Sequence, residues 1–333
     1  MTQYLTLFST FNTKYMSLRT SLCRIDESIT ARGLSVAFVA TMAFFVALTA
    51  YAQEQGPPKK ISYDVSLSPL YQSSVDIDGG GSFSLSSVFL RLKTRRSVSP
   101  TTSIGLNLKY DVDDYDFSGT TEFGGAHPWN DVRRFGISIP FFTLFSNNWS
   151  LGVSPSADWL QEYGADSGDS LSYGATAFAF KSFARNKSLG LGAGVFRTID
   201  DETRVFPFLA VDWRFNDHWR LANPFEADAL GPAGLELIYS FNERWHLSGG
   251  GVYRSFRFRL NDEDVAPDGI GENQGIVSFL RLRRVTTSGF DVDFYIGAIL
   301  NGELELKDSD GDNLSSSDYN TAPYAAITLS LAF

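Results

Sequence analysis

Beyond residue 52 no long apolar run occurs, and in many segments the apolar side chains fall at every second position, separated by Ser, Gly, Thr or a charge. A β-strand points successive side chains to opposite sides, so alternation of this kind predicts strands with one apolar and one polar face. Over 102–113, Ile104, Leu106, Leu108, Tyr110 and Val112 share one face, while Ser103, Gly105, Asn107, Lys109, Asp111 and Asp113 share the other. At 149–159 the apolar face carries Trp149, Leu151, Val153, Pro155, Ala157 and Trp159. At 290–306, Phe290, Val292, Phe294, Ile296, Ala298 and Leu300 oppose Asp291, Asp293, Asn301 and Glu303.

A soluble β-sandwich also alternates, and the connections discriminate. Short polar turns are predicted near 95–101, 145–148, 185–187, 216–218, 242–244 and 285–288. Longer Gly/Asp-rich loops are predicted near 73–81, 114–130, 163–169, 198–203, 224–233, 261–273 and 307–321. Short and long alternate, as in transmembrane barrels with tight periplasmic turns and longer external loops. Thirteen connections predict fourteen strands, an even number with both termini on the short-turn side. The count falls to twelve if 219–241, with its short Trp219-Arg220-Leu221 stretch flanked downstream by Pro224 and Pro232, folds over the barrel mouth instead. The expected fold is therefore an all-β transmembrane antiparallel up-and-down barrel spanning 61–333. Trp149, Trp219 and Trp245 each directly follow a short turn, where a ring with one polar atom suits the membrane interface.

One long apolar run stands apart from this pattern. Leu34 to Tyr51 follows Arg32, and Ala50-Tyr51-Ala52 ends it with small residues at the −3 and −1 positions of a signal-peptidase site. Cleavage after Ala52 would leave residues 53–60 as a short linker before the barrel; an uncleaved anchor is the alternative. Residues 1–33 read as an N-terminal extension with the positively charged flank. Secretion through the inner membrane and residence in the outer membrane of a Gram-negative bacterium are the expectation. The only cysteine, Cys23, lies before the cleavage site, so the mature chain would hold no disulfide and no Cys-based metal site. The net charge is −10; residues 1–52 contribute +2, which leaves −12 for the remainder. An acidic surface repels phosphate backbones, so nucleic acid is not an expected partner.

The last strand, Ala322 to Phe333, places Ala325, Ile327, Leu329, Leu331 and Phe333 on one face. It resembles the C-terminal signature of outer-membrane barrels, with Phe333, Leu331 and Leu329 as the signal read by the barrel assembly machinery. With the Gly-Pro-x-Gly-x-Glu-x-x-Tyr stretch at 231–239 and Tyr-Arg…Phe-Arg at 253–257, the chain resembles an uncharacterised family of bacterial outer-membrane β-barrels. That resemblance implies the fold and brings no activity. Outer-membrane lipids and lipopolysaccharide are the other implied partners; the oligomeric state is left open.

The polar faces should line the lumen. The candidates are Lys93, Lys109, Asp111, Asp113, Asp158, Asp212, Arg214, Arg257, Arg259, Arg281, Arg283, Asp291, Asp293 and Glu303. Two readings compete: a charge-lined pore that selects solutes, or a lattice of salt bridges that fills the barrel. A porin-like passive channel for small solutes is the first expectation, and a structural or surface-binding barrel with a plugged lumen the second. His246 and Ser248 form a His-x-Ser pair similar to that of outer-membrane lipid hydrolases, in which His activates Ser. Trp245 and Leu247 on the lipid face would send the pair inward, at the periplasmic end, so no catalytic residue is assigned. Asp308, Asp310 and Asp312 alternate around Gly311 and form a weak Ca²⁺ candidate that lacks the bidentate Glu of an EF-hand. His127 and His218 are isolated, and neither is within ligand spacing of another His. No metal and no cofactor is expected. The glycines of 189–194 alternate within a strand and should relieve crowding inside the barrel.

Overall fold

A computed structural model describes residues 61–123, 127–224, 234–263 and 265–333. The predicted signal segment, Ala50 and Ala52, the linker 53–60, and Gly231 and Pro232 of the 231–239 stretch lie outside the described residues. Among those described, the first strands are β1 (Ile61–Asp76), β2 (Ser82–Ser97), β3 (Thr102–Ser118), β4 (Asp131–Ser138) and β5 (Phe141–Leu144). They are followed by β6 (Trp149–Glu162), β7 (Leu171–Ala184), β8 (Lys187–Arg197), β9 (Thr203–Arg214) and β10 (Trp219–Ala222). The chain then forms β11 (Gly234–Ser240), β12 (Trp245–Arg259), β13 (Ile270–Arg284), β14 (Phe290–Lys307), β15 (Asn313–Tyr319) and β16 (Ala322–Ala332).

Both β4 and β5 pair with β3 on one side and β6 on the other. They are two halves of one wall strand, interrupted at Pro140, which has no N–H to give to the ladder. Likewise β15 and β16 both pair with β14. The wall therefore has fourteen antiparallel strands, closed through β13–β14, β14–β16 and β16–β1. Closure leaves no sheet edge to be satisfied by lipid, which cannot hydrogen-bond. The twelve-strand alternative fails because β10 and β11 pair with each other and with β9 and β12. Two expected loops are shorter than the pattern suggested. The 307–321 region is a hairpin, with β15 returning along β14, and β3 runs on to Ser118.

The barrel is inside-out in its middle and ordinary at its loop end. On β3 the outward residues Ile104, Leu106 and Tyr110 are exposed, whereas inward Asp111 and Asp113 are buried. From Ile104 to Val112 the apolar outer face climbs about 27 Å along the strand at about 3.4 Å per residue. With a tilt of about 40° this gives about 21 Å of height, close to the apolar band of an outer-membrane barrel. Above it the sides exchange: Asp114 and Asp116 are exposed, and Tyr115 and Phe117 are buried inside. β2 does the same, with Ser82, Ser84 and Ser86 outward and Phe83 and Leu85 fully inward. At the short-turn end, Trp149 faces Lys181, Trp213 faces Lys187 and Trp245 faces Arg284 across strand pairs. In each, the cation lies over the ring, at 5.9, 4.1 and 5.6 Å from its centre, a contact that suits the wet side of the interface.

Phe333 closes this end. Its ring stacks on Tyr63 at 5.5 Å, and the two residues exchange backbone hydrogen bonds of 2.9 Å.

Candidate functional site: the lumen

The interior is divided into a packed sector and a hollow one. Along β12–β14, β16, β1 and the upper parts of β2 and β3, the inward positions carry a continuous apolar core. Trp129 sits at its loop end, with Phe117 and Phe258 edge-on at 5.4 and 5.3 Å. Lower down, Val252, Val277, Phe279, Tyr295 and Tyr324 continue the same core. Asn273 ties it together, donating to Tyr115 Oη at 3.2 Å and accepting from Tyr319 Oη at 2.9 Å.

The sector formed by β6–β9 is built to stay open. Phe178, Phe196, Phe206 and Phe208 project inward, and glycines stand beside three of the rings. A Cβ added at Gly152 would meet Phe178 Cζ at 2.3 Å, and one at Gly192 would meet Phe208 Cζ at 2.2 Å. The rings thus lie flat over glycine positions of the neighbouring strand, lining the wall without crossing the lumen. This is the space that the alternating glycines of β8 provide. A cavity of about 560 Å³ occupies this sector, and a second of about 520 Å³ lies at the short-turn end beside Arg214, Arg220, His246, Arg281 and Arg283.

The upper rim is pinched. Among the described residues β12 pairs with β11 up to Val252, and at its upper end β12 meets β6, where Arg259 and Gln161 pair in parallel. Residues of the β8–β9 loop lie against Arg257 and Arg259 of this upper part of β12. Arg257 is held there by Asp200 and by Glu272, which accepts from Arg257 Nε at 2.5 Å. Arg259 donates to the carbonyls of Ile199, Asp169 and Asp268 at 2.9, 3.1 and 2.7 Å. Burial acts to raise the Asp200 carboxyl, but the hydroxyl of Thr198 and the charge of Arg257 together hold it below the ordinary value.

Most of the predicted lumen charges do point inward, and they form connected groups. Lys109 Nζ lies 2.7 Å from Asp158, and Arg134 bridges Asp158 at 3.1 Å and Asp111 at 3.8 Å. Arg91 completes the chain on Asp111. Asp113 lies 3.9 Å from Arg254. Arg281 pairs with Glu236 at 2.8 Å and approaches Asp293 at 3.8 Å, and Arg283 pairs with Asp291 at 3.0 Å. Asp212 and Arg220 form a two-pronged pair at 2.7 and 3.1 Å near the short-turn end. Lys93 and Arg214 line the upper and lower cavities respectively.

Arg257 and Arg259 share a side of β12 with Tyr253, opposite the buried Val252 and Phe256. Tyr253 and Arg257 line the upper cavity, while Arg259 is held by carbonyls of three loops. One predicted lumen residue is misplaced. Glu303 is turned outward by a bulge at Asn301, whose φ is 49°. An extra residue exchanges the two faces of a strand, which simple alternation across 290–306 could not reveal.

The His-x-Ser pair does not form a dyad. His246 Nδ1 lies 2.9 Å from Ser240 Oγ, while the Ser248 hydroxyl donates to Glu236 and accepts from Arg281 Nε at 3.3 Å. The acidic turn is also self-contained. Asp308 Oδ1 accepts from the backbone N–H of Asp310 and Asp312 at 3.0 and 2.9 Å, with Gly311 at a φ of 91°. Among the described residues no three His, Cys, Asp or Glu side chains converge as metal ligands. The ring of His218 stacks on Tyr239, and its Nδ1 lies 2.8 Å from the Ser240 carbonyl.

Several lumen residues were not picked out from the sequence. Arg91 shares a strand face with Lys93, and Arg134 stands opposite Asp111 on the face that carries Lys109. Glu236 stands in the 231–239 stretch. Asp200 and the four-phenyl wall carried no local signal, since both depend on which strands become neighbours.

No protein-family profile and no curated protein matches the chain. Among solved structures, it overlaps an outer-membrane channel from Pseudomonas putida F1 at 11% identity and a TM-score of 0.46, covering 84% of this chain and 100% of that one. It overlaps the P. putida toluene transporter TodX at 10% identity and a TM-score of 0.41, over 83% and 91% of the two chains. The translocator domain of the autotransporter NalP from Neisseria meningitidis follows at 9% identity and 0.39, over 90% and 98%. None of these is close enough to bring a function with it.

Proposed function

We propose that this protein is an outer-membrane channel for the passive passage of small solutes. The hollow β6–β9 sector carries the reading. One side of the barrel is filled to the loop end, while the other keeps phenyl rings flat on glycines and leaves a cavity of about 560 Å³. A barrel with a structural role alone would gain stability by packing that side too. Placement in the outer membrane rests on the apolar outer band, the closed wall and the Trp–cation pairs at the short-turn end. The closing strand with Phe333 is the element through which the barrel assembly machinery would act, and outer-membrane lipid and lipopolysaccharide would contact the outer face.

Reconstitution into planar bilayers tests the proposal. Discrete conductance steps are expected, and their absence at both polarities with correctly folded protein would reject the channel. A second reading, a surface-binding barrel with a plugged lumen, draws on the aromatic core around Trp129. It expects no conductance in the wild type and none after Trp129→Ala.

A further inference from the structure

The cavity in the hollow sector has two chemically different sides. On β7–β9 it is walled by Phe178, Phe196, Phe206 and Phe208. Across from them stand Arg91, Lys109 and Arg134, three cations gathered on the carboxylates Asp111 and Asp158. The lining as a whole shows seven Lys or Arg side chains and only these two acids. That excess is local, since the whole chain carries −10. The acids that pair with Arg204, Arg254 and Arg257, namely Asp113, Asp200, Glu202 and Glu272, are not part of the lining.

The two sides ask for one kind of molecule. A cationic cluster in a low-dielectric wall attracts an anion, and the planar guanidinium fork fits a carboxylate with two parallel hydrogen bonds. A cation would be repelled, and a neutral hydrocarbon would leave the positive side unanswered. A bare inorganic anion would leave four phenyl rings without a partner. The volume of about 560 Å³ falls within the range of pockets that enclose small organic molecules.

We propose that this cavity binds an amphipathic organic anion, a carboxylate on an aromatic or short aliphatic body, with its head at Arg91, Lys109 and Arg134 and its body against the phenyl wall. As the solute class of the channel this rests on the reading above; as a binding site it stands alone.

Isothermal titration of the folded barrel in detergent, with four probes, tests it. Phenylacetate should bind, and 2-phenylethanol, phenethylammonium and inorganic phosphate should each bind about tenfold more weakly or not at all, because each lacks one half of the match. Lys109→Met leaves each carboxylate with an arginine and should weaken phenylacetate about fivefold while leaving 2-phenylethanol unchanged. Phe206→Ala should weaken both aromatic probes and serves as a second variant if the first does not fold. Equal binding of 2-phenylethanol and phenylacetate would overturn the anionic half, equal binding of phosphate the apolar half, and no binding of phenylacetate the whole. A barrel that conducts without binding phenylacetate would reject only this site. One that binds without conducting would reject only the channel.

Discussion

The two sectors of the barrel interior obey one alternation rule and end in opposite states. Along β12–β14 the inward residues Val252, Val277, Phe279 and Tyr295 are buried against one another and against Tyr324. Along β6–β9 the inward residues are just as apolar at Phe178, Phe196, Phe206 and Phe208, yet none belongs to the core. The difference lies in what stands beside each ring. In the packed sector large side chains face one another across the lumen; in the hollow one three of the four rings lie over a glycine. Whether an aromatic residue fills a lumen or lines it is thus set by its neighbours on adjacent strands and not by its own hydrophobicity.

The same substitution made in both sectors should show this most clearly. Phe258→Ala, at a fully buried position in the core, should cost about 3–5 kcal/mol in urea unfolding from lipid vesicles. Phe208→Ala, half-buried on the hollow wall, should cost only about 1–2 kcal/mol. Equal losses would mean that the hollow sector is packed after all.

A charge placed on the outer face sharpens the vertical comparison. Ile296 lies mid-band and is 62% exposed, so Ile296→Arg should destabilise the barrel by about 2–4 kcal/mol. Ser84→Arg, outward but above the band, should cost about 0–1 kcal/mol. A reversed order would move the membrane boundary.

Adding volume where glycine makes room comes next. Gly192→Leu should drive the Phe208 ring off the wall at a cost of about 1–3 kcal/mol, and should lower the binding of any molecule in that cavity. An unaltered affinity for phenylacetate would show that the ring has another place to go.

The smallest effect concerns the pinched rim. The Asp200 carboxyl is held below its ordinary value of 3.8 by Thr198 and Arg257, against the effect of burial. A depressed carboxylate stabilises the fold above that value, and the contribution is lost as pH falls below it. Between pH 5 and 3 the wild type should therefore lose more thermal stability than Asp200→Asn, by about 1 kcal/mol or less. Identical acid profiles would remove Asp200 as a clamp on β12.

Fold class, the six short turns and most lumen charges were legible in the sequence because strand alternation and turn chemistry are local. Ile104 to Val112 could be assigned to lipid, and Lys109 and Asp111 to the interior, from their spacing alone. The candidate site was legible only in part. Its cations lay on predicted faces, but Glu303 changed sides at one bulged residue, and Arg257 and Arg259 were held by distant loop residues.

The sequence by itself determined a lipid-facing barrel, since a repeat of two residues dictates which side each residue takes and the alternation of short and long connections gives an even strand count. Only the tertiary structure decided that half of the lumen is filled and half is open, that β12 meets β6 at its upper end, and that three cations gather on two carboxylates beside a phenyl wall. Those features depend on strand register and on glycine–phenyl pairs between neighbouring strands, contacts between residues far apart along the chain that no local pattern specifies.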